Sequence, residues 1–131
     1  MPMRIRRGSA DQGQVAVEYI GFVAILLLVG LAAIQLGVAA YAVNQAGTGA
    51  RAAARAASLD KPRAGEPKLN PVAAGTAAVS GWLKPDVSPA GSGGDEVAYT
   101  VTIKIPSVIP GIPDFGTATR TSTMPKLQHQ N

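Results

Sequence analysis

From Tyr19 to Val43 the chain runs for twenty-five residues without a charge, and Gln35 is the one strongly polar side chain before Asn44 closes the run. A helix of that length rises roughly 37 Å at about 1.5 Å per residue, against a hydrocarbon core of about 30 Å. The segment is therefore long enough to cross a bilayer, with tilt or an emerging end taking up the excess. Arg4, Arg6 and Arg7 precede it and favour a cytoplasmic amino terminus. Arg51 and Arg55 lie close on the far side and weaken that bias.

A chain of 131 residues that commits so much to one apolar helix keeps enough for a single small head and no second packed domain. Its hydrophobic fraction of 47% is largely Ala and Val, with bulk confined to residues such as Phe22, Trp82 and Phe115, so the head's core is expected to be thin. The absence of cysteine excludes a disulfide framework, a thiolate metal site and a thiol nucleophile. The net charge of +4 depends on Arg4, Arg6 and Arg7: without residues 1–13, nine basic residues face seven acidic ones. That balance is no nucleic-acid footprint, and no nucleic-acid partner is expected.

Past the span, "VNQAGTGARAAARAASLD" continues in helix-forming residues, with Arg51 and Arg55 four apart on one face. Gly47 and Gly49 are expected to weaken this helix, and Pro62, Gly65 and Pro67 to end it in a linker. Asn70 followed by Pro71 is an N-cap with proline at the first helical position, which predicts a short helix. "PAGSGGDE" reads as a flexible turn. "VAYTVTIKI" then alternates, with Val97, Tyr99, Val101, Ile103 and Ile105 on one face, as a half-buried strand does. Pro106, Pro110, Gly111 and Pro113 interrupt, and the Thr-rich "FGTATRTSTM" is suited to pairing back antiparallel.

The predicted class is α+β: a long N-terminal transmembrane and stalk helix, then a small head with a short helix and an antiparallel strand pair. The expected division is a basic leader at 1–13, the transmembrane helix and Ala/Arg-rich stalk at 14–58, a linker at 59–69, the head at 70–124 and a disordered tail at 125–131.

Glu18 is a carboxylate where hydrocarbon should begin. One reading makes the helix an ordinary secretory signal, with Ala40 and Ala42 in an A-x-A arrangement. The apolar stretch exceeds the roughly 7 to 15 residues of such signals, and Glu18 interrupts its entrance. A second reading is a plain single-pass anchor whose Glu18 reaches back to the headgroups.

A third reading starts from spacing. Gly13 stands immediately before Gln14, and counting Gln14 as one places Glu18 at five and Tyr19 at six. With its basic leader and long apolar helix, "GQVAVEY" resembles the processing site of type IV pilin-like proteins, and the Glu-Tyr pair is similar to the Flp and Tad subgroup. "VNQAGTGARAAARAAS" resembles the helix that follows the span in TadE-like pseudopilins; major Flp pilins usually end soon after the helix. Thr48 departs from the family pattern, where a charged residue often precedes Gly-Ala-Arg.

The resemblance implies that a prepilin peptidase, an intramembrane aspartic protease, cuts between Gly13 and Gln14, so that this chain is substrate and not enzyme. It implies other pilin or pseudopilin subunits and inner-membrane pilus assembly proteins as partners, besides membrane lipid. Cleavage would leave the α-amino group of Gln14 as a cation one turn from Glu18, and a neighbouring subunit's amine would offset the acid's cost, about 2.5 to 3.5 kcal/mol at the bilayer centre. A shallow, unpaired carboxylate is the simpler alternative.

Tyr19 suits assembly register, and equally an interfacial anchor. Gly30, Ala33 and Gly37 are small positions that permit close helix approach, and Gln35 can hydrogen-bond across such an interface, although Gly and Ala are common in membrane helices generally. Arg51 and Arg55 read as a solvated or headgroup-facing face. His129 is the one histidine, and Asp60, Glu66, Asp86, Asp95, Glu96 and Asp114 show neither metal-ligand nor paired acid-base spacing. "AGSGGDE" lacks the lysine and following helix of a phosphate loop. No catalytic role, cofactor or metal is expected.

Overall fold

A computed structural model describes residues 8–59 and 65–127. Arg4, Arg6 and Arg7 of the leader, residues 60–64 of the linker, and the tail 128–131 with His129 lie outside the described residues. The fold is α+β: one long apolar helix, then a small head with a short helix and a three-stranded antiparallel sheet.

Helix α1 runs unbroken over Gly8–Ser58, 51 residues. Its large apolar side chains from Val15 to Leu36 are mostly exposed, which separates this helix from the buried core helix of a water-soluble domain. From Gln35 onward one face is covered by the head. Ala42, Ala46, Ala50 and Ala53 recur at helical spacing, all fully buried. Their single methyl groups let the sheet lie close against the helix, so residues 35–58 form a layer of the head as well as its stalk. At its end the Ser58 carbonyl accepts from Leu127 N at 3.1 Å.

Gly47 and Gly49 do not interrupt α1, because tertiary packing outweighs a helix penalty of about 1 kcal/mol per glycine. Helix α2, Pro71–Ala77, starts as the sequence dictates: the Asn70 side chain accepts from Val72 N and Ala73 N, with Pro71 in the first turn. A short 3-10 helix, Gly81–Leu83, ends at Lys84, which adopts a left-handed φ of 46°.

The sheet has the order β1 (Asp86–Gly93), β2 (Glu96–Pro106), β3 (Asp114–Pro125). In central β2, Val97, Val101, Ile103 and Ile105 are buried against the core, with Tyr99 packed at its margin, in the alternation expected. On the opposite face Thr100 meets Thr121 at 2.7 Å and Thr102 meets Thr119 at 3.3 Å, cross-strand hydroxyl pairs that hold the register.

The expected antiparallel pair is present as β2 and β3, and a third strand joins it. Most of the segment read as a flexible turn is β1, with Val87 opposite Val101 and the register shifting between Pro89 and Gly91. An edge strand tolerates Pro89, and Gly94 supplies the positive φ that turns the chain into β2. Hydrogen bonding also extends beyond the head boundary expected at residue 124: Lys126 N donates to the Asp95 carbonyl and Leu127 N to that of Ser58.

Candidate functional site

Gly13, Gln14, Glu18 and Tyr19 all lie within α1, and all are exposed. Gln14 and Glu18 are four apart, so they occupy successive turns of one face. A Cβ added at Gly13 would meet nothing within 4 Å, so side-chain crowding within the chain does not require glycine there. Gly13 is the sixth residue of α1, just past the four amino-terminal amide donors that lack intrahelical partners. Glu18 has no ion-pair partner among the described residues.

Further along, Gly30, Ala33 and Gly37 fall within about 60° of one another around the helix at about 100° per residue. Added Cβ atoms at Gly30 and Gly37 would meet nothing, and Ala33 is exposed: no described part of the chain packs on this face. Gln35 points roughly 180° away from the centre of that face. It is 1% exposed. Its Nε2 donates to the Pro106 carbonyl at 3.1 Å, and its Oε1 accepts from Val108 N at 2.9 Å. Both halves of the amide are thus engaged within the chain, at the point where the apolar helix first meets the head.

Six residues on, the Tyr41 ring stacks on Trp82 with centroids 5.9 Å apart and planes 5° from parallel, and Tyr41 Oη lies 2.7 Å from Ser80 Oγ. The neighbouring Gln45 Oε1 accepts from Ser80 N at 3.0 Å. These contacts tie the 3-10 turn to the helix just above the Gln35 junction. The sequence offers little sign of them, because residues distant in sequence form each one.

Arg51 and Arg55 are exposed. Arg51 shares a polar groove of about 350 Å³ with Arg120, Asn44 and Ser122, beside Gly47. A larger cleft of about 570 Å³ lies at the carboxyl end of α1, lined by Ala56, Leu69, Tyr99, Lys68 and Lys126 among others. The described residues contain no group of three or more His, Asp or Glu side chains placed to hold a metal ion.

The chain thus has one described helix long and apolar enough to cross a membrane, near its amino terminus, and a head fastened to the carboxyl-terminal half of that helix. No protein-family model matches the chain, and neither curated proteins nor solved structures give a match.

Proposed function

We propose that the chain is a TadE-like minor pilin: a prepilin peptidase cleaves it between Gly13 and Gln14, and it takes part in assembling a Tad/Flp-type pilus or a related secretion apparatus. Its helix spans the cytoplasmic membrane with the amino terminus cytoplasmic and the head extracytoplasmic. Its partners are other pilin or pseudopilin subunits and inner-membrane assembly proteins, and its role is assembly and not turnover.

The observation that carries this reading is the placement of Glu18 one turn beyond Gln14 on an exposed apolar helix. There the carboxylate is exposed, and a neighbouring subunit's amine would give it a partner. The uncovered face of Gly30, Ala33 and Gly37 adds support, since it lies opposite the head-bound side and leaves room for another helix. Gly13 suits a protease that needs extended backbone, because glycine opposes helix and accepts conformations other residues resist.

The alternative, a membrane-anchored binding module outside any pilus, draws on the cleft beside Tyr99, Lys68 and Lys126. A cross-link separates the two. The chain has no cysteine, so Ala33→Cys introduces a single thiol on the uncovered face. Oxidation in cells assembling pili is expected to give a disulfide to a pilin subunit carrying a cysteine at the corresponding helix position. Cross-links to no pilin across a scan of positions 30, 33 and 37, with intact binding by the head, would support the anchored module instead.

A further inference from the structure

The loop between β2 and β3, Ser107–Pro113, hangs from the head at the level of Gln35, within the apolar part of α1. The loop itself contains no charged residue, and Asp114, which pairs with Pro106 at its base, is exposed with its Oδ1 accepting from Gly116 N at 3.4 Å. Val108 is 37% exposed, Ile112 42% and the adjoining Phe115 44%. Trp82, beside Tyr41, is 58% exposed.

The vertical placement of these groups follows from the helix. Tyr19 and Tyr41 are twenty-two residues apart, roughly 33 Å along α1 at about 1.5 Å per residue, close to the hydrocarbon thickness of about 30 Å. Aromatic residues with a polar edge collect at the two borders of a bilayer, and Tyr41 with Trp82 stands where the second border falls. Gln35 is six residues short of Tyr41, roughly 9 Å toward the bilayer's interior. The loop tethered to Gln35 is carried to the same depth.

Irregular backbone is excluded from lipid unless its polar groups are satisfied. This loop meets much of that demand. Pro110 and Pro113 of the loop, and Pro106 at the end of β2, have no N–H. Val108 N donates to Gln35 Oε1, Ile109 N to Ser107 Oγ at 3.2 Å and Ile112 N to the Ile109 carbonyl at 3.3 Å. Gln35 takes up the Pro106 carbonyl as well, which removes its own amide from hydrocarbon.

We infer that the Ser107–Pro113 loop is a second membrane contact, which enters the leaflet on the head's side beside α1, with Trp82 and Tyr41 at the headgroups. The head then rests on lipid at a fixed depth and orientation instead of standing off on a free stalk. The recognised partner is the bilayer's apolar interfacial layer. The inference rests on α1 spanning the membrane and is independent of prepilin processing.

The full chain in phosphatidylcholine vesicles provides the test. Trp82 is the one tryptophan and needs no substitution. Ile112→Cys, Leu27→Cys and Ser92→Cys each add a single site for a polarity-sensitive fluorophore. Phosphatidylcholine with a nitroxide on its acyl chain is expected to quench Trp82 and the probe at position 112, with blue-shifted emission at 112, while the probe at 92 stays open to aqueous iodide. Quenching at 27 with iodide-accessible, unshifted emission at 112 overturns the inference and leaves the span intact. No lipid quenching at 27 overturns both. Protection at 112 from lipid and iodide alike, lost on dilution into excess lipid, means that a second copy covers the loop and also overturns it.

Discussion

Gly49 of α1 and Gly75 of α2 face each other where the two helices cross: a Cβ built on either would stand 3.1 Å from the other's carbonyl oxygen. The Gly49 Cβ would also come within 2.7 Å of Val79 Cγ2, and the Gly75 Cβ within 3.0 Å of Ala53 Cβ. Backbone meets backbone at this crossing, so neither side can yield by a rotamer change. The glycines thus set how closely α2 packs on the stalk.

Gly75→Val and Gly49→Val are each expected to destabilise the head by about 1 to 3 kcal/mol, the usual cost of forcing extra carbons into a packed site. Thermal unfolding of the detergent-solubilised chain measures this, with Gly21→Ala as a control that is not expected to destabilise, because a Cβ there meets nothing within 4 Å. An unchanged midpoint for both valine variants would mean the crossing is looser than described.

Asn70→Ala removes the acceptor for Val72 N at 3.0 Å and Ala73 N at 3.2 Å. A loss of about 1 kcal/mol is expected, the typical worth of an N-cap. Asn70→Asp, which keeps the acceptor, is expected to preserve stability. Equal unfolding midpoints for the Ala and Asp variants would contradict this role.

Gln35→Leu leaves Val108 N and the Pro106 carbonyl without their partner. One buried backbone group so orphaned costs about 1 to 3 kcal/mol. The loss is expected to be local: amide exchange at Val108 accelerates, while amides in the middle of β2 remain protected. Unchanged exchange at Val108 would show that Gln35 does not fasten the loop.

Glu18→Ala is expected to leave the protein membrane-embedded, since the uncharged run from Tyr19 to Val43 is untouched. If the chain acts as the proposed pilin, the same change is expected to deplete it from sheared pili, because no carboxylate remains to pair with a neighbouring amine. The ratio of chain in the fibre fraction to chain in the membrane measures this. Normal incorporation of the variant would remove the assembly role of Glu18.

The long helix was legible because an uncharged run of this length has few other fates, and β2 because Val97, Tyr99, Val101, Ile103 and Ile105 alternate without a break. Asn70-Pro71 marked the start of α2 by local chemistry alone. The third strand was hidden because Pro89, Gly91, Gly93 and Gly94 carry turn propensity, and its place is fixed by pairing with β2, a tertiary effect no local pattern reports. Gly47 and Gly49 looked like weak points in a helix; the reason for Gly49 lies in Gly75, twenty-six residues away.

In the candidate site, the sequence singled out Gln35 as the polar interruption of the span, but its partners in the β2–β3 loop were out of reach. The interrupting prolines of that loop were legible, and their nearness to the long apolar helix was not. The positions of Gly13, Gln14, Glu18 and Tyr19 were set by spacing alone, and each stands exposed on α1. The partners proposed for them are other molecules.

The amino-terminal mass of the chain extracted from membranes of cells with their own processing machinery bears most directly on the pilin reading. A mature chain beginning at Gln14 is the expected result. An intact leader in cells that actively process other prepilins would contradict it and leave a simple anchor, while a chain beginning near Val43 would mean a secreted head released from its membrane helix.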